Sequence, residues 1–105
     1  MAPGRRRVAW TESARNELDE AVAFVAEESP QVALELLERI LRSADTLSSL
    51  SERGRLVPER GDPAIREILV DPYRLIYGVD ERSVVILGLL HQRRDFERWD
   101  RSPST

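Results

Sequence analysis

The sequence of 105 residues contains no cysteine, no lysine and a single histidine, His91. Without cysteine, a disulfide scaffold and the Cys or Cys/His sites that hold structural zinc are excluded. Long apolar runs are also missing: the longest, Val84–Leu90, is far below the roughly 20 residues that span a bilayer. The basic N-terminus lacks the apolar stretch of a secretory signal. We therefore expect a cytoplasmic domain without a membrane segment, a metal or another cofactor.

The charges are nearly balanced in number but unevenly distributed along the chain. Sixteen arginines face 19 acidic residues, for a net charge of -3. Residues 11–50 contain nine acidic side chains and three arginines, whereas residues 51–105 contain ten of each. A domain that binds nucleic acid alone usually has a basic excess, so we expect no sequence-specific DNA binding by this chain by itself. A local arginine patch stays open, because composition does not say which face a charge occupies.

The apolar periodicity of the first half predicts a strand followed by two helices. Val8–Trp10 alternates like a short strand, and Thr11 is a suitable N-cap for a helix that ends near Glu28. Ser29-Pro30 then begins a second helix, which we expect to extend to about Leu50. Because the linker between the two helices is so short, they should form a hairpin.

The second half predicts a loop and then three strands. Four glycine and proline residues between positions 51 and 64 indicate the loop. The strands are Ile65–Val70, Tyr73–Val79 and Val84–Leu90, and their short connections predict antiparallel neighbours. The expected fold class is α+β: an antiparallel sheet in the order β-α-α-β-β-β, with the helical hairpin packed on one face. We expect one domain over residues 1–105, with flexible ends at 1–7 and 101–105.

No motif of a common enzyme class is present: GxSxG, Walker, GxGxxG and HExxH patterns are all absent. What remains is arginine on and near the predicted sheet, at Arg66 and Arg74 and, after the last strand, at Arg93 and Arg94 beside His91. These groups could converge on the exposed face, where the guanidinium fork suits phosphate or carboxylate. The other interpretation is a solvated face whose arginines pair with the acidic residues Glu67, Asp95 and Glu97.

Several segments carry a resemblance through their order and spacing. They are V-A-W-T-E-S-A-R-N-E-L, the S-P before the second helix, G-R-L-V-P-E, I-R-E-I-L-V-D-P-Y-R-L-I-Y-G-V and V-V-I-L-G-L-L-H-Q-R-R-D. Residues 8 to about 99 resemble the RelE/ParE toxin superfamily through them. The resemblance implies a prokaryotic, growth-inhibiting toxin of a type II toxin–antitoxin system, neutralised by a cognate antitoxin that folds on its surface.

The resemblance also implies two possible activities. RelE-like members enter the ribosome and cleave mRNA, the 2'-hydroxyl attacking the neighbouring phosphate, whereas ParE-like members share the fold and block DNA gyrase. The arginines of the RelE pattern are retained at Arg74 and at Arg94 or its neighbour Arg93. The two lysines of that pattern fall on Ile65 and Glu67 in this sequence.

A further departure lies in the tail, where Phe96 or Trp99 stands in place of the RelE-like tyrosine. Glu67 beside a phosphodiester would add repulsion where stabilisation is needed. The resemblance therefore favours a ParE-like inhibitor of DNA gyrase. Candidate contacts to the target or to phosphate are Arg66, Arg93 and Trp99.

The alternative is a ribosome-dependent mRNA interferase with Arg74, Arg94 and His91 as catalytic residues. In that case His91 or Glu67 would act as general base or acid, since an imidazole near its natural pKa suits proton transfer. A third hypothesis is a weak relative whose main activity is antitoxin binding and joint repression. The acidic hairpin, residues 12–50, is a candidate platform for the antitoxin.

Overall fold

The computed structural model describes residues 5–58 and 60–92. The elements, in chain order, are β1 (Arg7–Trp10), α1 (Glu12–Ala26), α2 (Pro30–Asp45), a 3-10 turn (Thr46–Ser48), β2 (Arg55–Leu56), β3 (Ile65–Val70), β4 (Tyr73–Val79) and β5 (Ser83–His91). The predicted β-α-α-β-β-β order is confirmed. Two details differ, since α2 ends at Asp45 and continues only as the 3-10 turn, and the predicted loop contains the two-residue strand β2.

Both helices begin at the predicted capping residues. The Thr11 hydroxyl accepts a hydrogen bond from the Ala14 N–H at 3.0 Å, and the Ser29 hydroxyl accepts one from the Val32 N–H at 3.2 Å. Each cap satisfies a backbone donor that has no partner inside its helix. Pro30 occupies the first position of α2, where its missing N–H costs nothing. The short turn between the helices folds α2 back against α1.

The sheet has five strands in the order β1-β5-β4-β3-β2. The pairs β2–β3, β3–β4 and β4–β5 are antiparallel, as predicted for strands with short connections. The expectation of a purely antiparallel sheet is wrong for β1, which lies parallel to β5 with Arg7 opposite Ser83 and Trp10 opposite Ile86. The helical hairpin and the other strands lie between them in the chain, and such a long crossover permits a parallel pair.

The two faces of the sheet are covered differently. The helices pack on one face, and the main core there includes Ile40 and Leu47 from the helical side and Leu75, Tyr77 and Ile86 from the strands. The opposite face carries a smaller apolar cluster of Val57, Ile76 and Leu90. Strand β5 contributes apolar residues to both clusters, as expected for a strand with neighbours on both sides.

The N-terminal end of the described chain is tied to the sheet. The Arg6 guanidinium donates to the Asp80 carbonyl at 2.7 Å and to the Ser51 hydroxyl at 2.9 Å, and Arg7 is already part of β1. The flexible ends at 1–7 and 101–105 stay a prediction. Residues 1–4 and 101–105 lie outside the described residues. Within the described ranges, neither helix has the length and apolar character needed to cross a bilayer.

Candidate functional site

A cleft of about 700 Å³ lies where the short strand β2 meets β3. Its lining contains charged, polar and apolar residues: Arg53, Gly54, Arg55, Glu67, Ile68, Leu69, Arg74 and Gln92. The strand register fixes the charged residues: Arg55 lies directly opposite Glu67, and Arg74 lies opposite Leu69. Since side chains two residues apart on a strand share a face, Glu67, Leu69 and Arg74 all lie on the face away from the helices.

Glu67 is held between two arginines. Its Oε1 accepts a hydrogen bond from Arg74 Nε at 2.7 Å and lies 2.5 Å from Arg74 Nη2. Its Oε2 accepts a hydrogen bond from Arg55 Nε at 2.5 Å. Glu67 is only 3% exposed and Arg74 only 7%, whereas the Arg55 side chain is largely in solvent. A buried carboxylate is tolerated when charged hydrogen bonds replace its water, and the paired arginines provide them. We call Arg55, Glu67 and Arg74 the ion cluster.

The segment before β2 is attached to the sheet through Gly54. Its N–H donates to the Tyr77 hydroxyl at 2.9 Å, and its carbonyl accepts from Arg66 Nη1 at 2.8 Å. A Cβ at this position would lie 2.5 Å from the Glu67 carbonyl oxygen and 2.6 Å from the Tyr77 hydroxyl. Only glycine fits this close approach. Burial raises the pKa of the Tyr77 phenol above its ordinary value.

The structure does not bring the described sequence-predicted residues together on one face. Arg66 is opposite Tyr77 and His91 is opposite Tyr73, so both share the helix-covered face, while Arg74 lies on the other. The predicted convergence is therefore wrong, because the register puts Arg66 and His91 out of phase with Arg74. Arg66 bonds to the carbonyls of the 52–54 segment, and the His91 ring contacts the edge of Tyr73 with centroids 5.8 Å apart.

The remaining predicted site residues, Arg93, Arg94 and Trp99, lie outside the described residues, as do Phe96, Asp95 and Glu97. Any role for Arg66, Arg74 or His91 in catalysis or target binding stays a prediction. Of the three acidic pairing partners proposed for the arginines, Glu67 does form ion pairs. In residues 5–58 and 60–92, no group of three or more His, Asp or Glu side chains is arranged to hold a metal ion.

Sequence reasoning missed the residues that build the cleft from the loop side. The glycine and proline pattern predicts a loop at Arg53-Gly54-Arg55, yet Gly54 anchors this segment and Arg55 completes the ion cluster. The signal was present, since two arginines flank a glycine just before an apolar pair, Leu56-Val57. Sequence reasoning also missed Glu17, whose Oε1 accepts the Leu89 N–H at 2.9 Å beyond the end of β1.

The helical hairpin has a surface of its own. Phe24 of α1 is 63% exposed, and Leu34 and Leu41 of α2 are 54% and 42% exposed. Leu34 and Leu41 are seven residues apart, which puts them on one side of the helix. A second cleft of about 490 Å³ runs beside Leu41 and is lined by Trp10 of β1 and residues of α1. The hairpin therefore presents apolar side chains outward as well as to the core.

Comparison with known proteins gives a consistent result. The family described as the ParE toxin of type II toxin–antitoxin system, parDE, matches residues 8–96. The chain is 31% identical over 93 residues to Y4kP of Sinorhizobium fredii, covering 88% of this chain and 94% of that protein.

Two solved structures share the fold. One belongs to the chromosomal ParDE TA system from P. aeruginosa, with a TM-score of 0.68, 21% identity, and coverage of 83% of this chain and 96% of that one. The other belongs to the toxin–antitoxin complex RelBE2 from Mycobacterium tuberculosis, with a TM-score of 0.54, 23% identity, and coverage of 84% and 92%. At these identities the structures support the α+β fold alone.

Proposed function

The chain belongs to the ParE toxin family of type II toxin–antitoxin systems, within the RelE/ParE superfamily, and we propose that it inhibits growth by binding DNA gyrase. The observation that carries this choice is the ion cluster. Arg74, the arginine that a RelE-like nuclease would direct at the scissile phosphate, is bound by the buried carboxylate of Glu67. A phosphate approaching Arg74 would meet that negative charge, which opposes the stabilisation that cleavage needs.

The position of His91 also supports an inhibitor over a nuclease. A general base must lie within hydrogen-bond reach of the proton that it removes, near the group that stabilises the charged transition state. His91 and Arg74 lie on opposite faces of the sheet. Arg66 shares the His91 face, but its guanidinium binds backbone carbonyls of the 52–54 segment. The proposal implies a cytoplasmic protein, because gyrase acts on the chromosome.

We assign neutralisation to a cognate antitoxin, as the similar ParDE and RelBE2 systems contain one. The hairpin is the candidate platform, since Phe24, Leu34 and Leu41 are exposed apolar side chains on its outer surface. Exposed apolar groups of this kind mark protein contact sites when they are contiguous. Replacing Leu34 with glutamate should reduce co-purification of the antitoxin encoded with the toxin. The same change at Leu69, which is exposed at the cleft, is the matched control.

The decisive experiment measures supercoiling of a relaxed plasmid by DNA gyrase with ATP, at increasing concentrations of the purified chain. We expect concentration-dependent inhibition that the antitoxin reverses. In parallel, primer extension on an mRNA in a reconstituted translation system should show no cuts. Ribosome-dependent cuts with unaffected gyrase would contradict the proposal and favour the nuclease with Arg74, Arg94 and His91. No effect in either assay would also contradict it and favour the antitoxin-binding relative.

Point variants then separate target contact from folding. Arg93→Ala and Trp99→Ala should weaken gyrase inhibition while leaving the melting temperature unchanged. Arg66→Ala and Arg74→Ala should act mainly by lowering stability, because both guanidinium groups bind inside the fold. Arg82→Ala is the control for loss of one positive charge, since Arg82 is exposed at the β4–β5 turn.

A further inference from the structure

The ion cluster has the geometry of an anion-binding site. Each carboxylate oxygen of Glu67 is bound by a different arginine, Oε1 by Arg74 and Oε2 by Arg55. Arginine forks that converge on a small oxyanion are a common means of binding phosphate, because the planar donors match its oxygens. The site is therefore built for an oxyanion, and in this protein a side chain of the same chain occupies it.

We infer that Glu67 acts as an internal ligand that closes an oxyanion site to external phosphate groups. The chemical class that the arginines would otherwise take is a phosphate, either free or as a phosphodiester. This inference goes beyond the proposed function, because it concerns what the cleft excludes and not what the protein inhibits.

The strand register positions Glu67 between the two arginines. Arg55 lies directly opposite Glu67 on β2, and Arg74 lies one diagonal step away on β4. Diagonal neighbours in a sheet are within reach of long side chains. The Glu67 side chain is only 3% exposed and is therefore shielded from solvent, whereas the Arg55 side chain is 72% exposed. The closed arrangement is part of the folded sheet.

Charge and the volume of the adjoining cleft both favour anion binding once the negative charge of Glu67 is removed. The ion cluster carries two arginines and one glutamate, a net +1, which becomes +2 when glutamine replaces Glu67. The cleft volume of about 700 Å³ falls within the range of roughly 300–1,000 Å³ typical of ligand sites. Glutamine has the same shape as glutamate and keeps one acceptor oxygen. A more cationic cluster, in which Arg74 is buried, then gains by binding an anion from solution.

The experiment is calorimetric titration of the full chain with inorganic phosphate and, in a second arm, with a short single-stranded RNA. The wild-type chain should show no saturable phosphate binding. Glu67→Gln should bind phosphate at least tenfold more tightly, and Glu67→Gln/Arg74→Gln should lose that gain. Glu81→Gln removes the same charge from an exposed site at the β4–β5 turn and should behave as wild type. The RNA arm shows whether the opened site accepts a phosphodiester or only the free ion.

Equal affinities of wild type and Glu67→Gln would overturn the inference, as would an equal gain in Glu81→Gln. Thermal melting of each variant establishes that it is folded. If Glu67→Gln does not fold, Glu67→Met replaces it, because methionine fills a similar volume without a carboxylate. A folded Glu67→Met should gain at least threefold in phosphate affinity, and no gain would overturn the inference. The gyrase assay is independent, so failure of the target proposal is distinguishable from failure of this one.

Discussion

The two faces of the sheet differ in the side chains that the same strands present. Toward the helices, β3, β4 and β5 present apolar and aromatic side chains that pack into the main core. Away from the helices, the same strands present Glu67 and Arg74 beside a smaller cluster, whose buried apolar members among the described residues are Val57, Ile76 and Leu90. Apolar burial stabilises one face and paired charges occupy the other. A chain of this size can thus keep a charged cleft without weakening its core.

The largest loss of stability should come from removing Glu67 from the ion cluster. Glu67→Ala leaves two arginines beside a cavity where a carboxylate was, and removal of one partner from a buried ion pair costs roughly 3–5 kcal/mol. We expect a loss of that size in the free energy of unfolding, measured by urea titration at pH 7. A loss below about 1 kcal/mol would show that the ion cluster contributes little to the fold.

The double variant Glu67→Ala/Arg74→Ala sharpens the same test. Since it removes both buried charges, it should cost less than the sum of the two single changes. Residues in one ion-pair network typically show coupling of about 0.5–3 kcal/mol in such a cycle. Additive losses would mean that Glu67 and Arg74 stabilise the fold through separate contacts.

The apolar face is tested by Ile40→Ala on α2, where the side chain is fully buried. Deleting a buried isoleucine to alanine costs about 2–5 kcal/mol through lost burial and the cavity that remains. Leu69→Ala is the matched control, because Leu69 is 57% exposed on the opposite face. We expect it to cost less than 1 kcal/mol, roughly the range of exposed positions. Equal losses in urea titrations would contradict the division between the faces.

Much of this comparison could be predicted from the sequence. The capping residues Thr11 and Ser29 and the alternation in Tyr73–Val79 identify the elements by local chemistry, and the structure confirms them. The parallel pairing of β1 with β5 could not be predicted from the local pattern, because it depends on which strand, far away in the sequence, leaves an unpaired edge in the folded sheet. The same is true of the site. Alternation separates Arg74 from Tyr73, but only the register between strands shows that Arg66 and His91 share the other face.

Gly54 donates a hydrogen bond to Tyr77 of the main core and also lines the cleft. We expect its substitution to have an intermediate effect on the free energy of unfolding. An added Cβ would lie 2.5 Å from a backbone oxygen of Glu67, which cannot move without disturbing β3. Overpacking of this kind costs about 1–3 kcal/mol. We expect Gly54→Ala to lose that amount in urea titration and to detach β2, seen as faster amide exchange at Leu56. Gly78→Ala tests whether glycine loss alone has this effect, because an added Cβ there would come no closer than 3.6 Å to its nearest neighbour, Leu87. Unchanged exchange at Leu56 in Gly54→Ala would contradict the anchor.

The smallest loss of stability should come from Tyr77→Phe. The Tyr77 ring lies in the main core, and its hydroxyl accepts a hydrogen bond from the Gly54 N–H in the segment before β2. Tyr77→Phe removes one hydrogen bond, worth about 0.5–1.5 kcal/mol at pH 7. The pKa of the phenol is raised in the folded state above 10.0 by burial, so folding favours the protonated form. Its contribution is therefore fully present below pH 10 and is lost as the pH rises through the folded-state pKa. Stability measured by urea titration between pH 8 and pH 11.5 should fall more steeply in wild type than in Tyr77→Phe. Equal slopes would mean that burial of the phenol does not disfavour its charged form in the folded state.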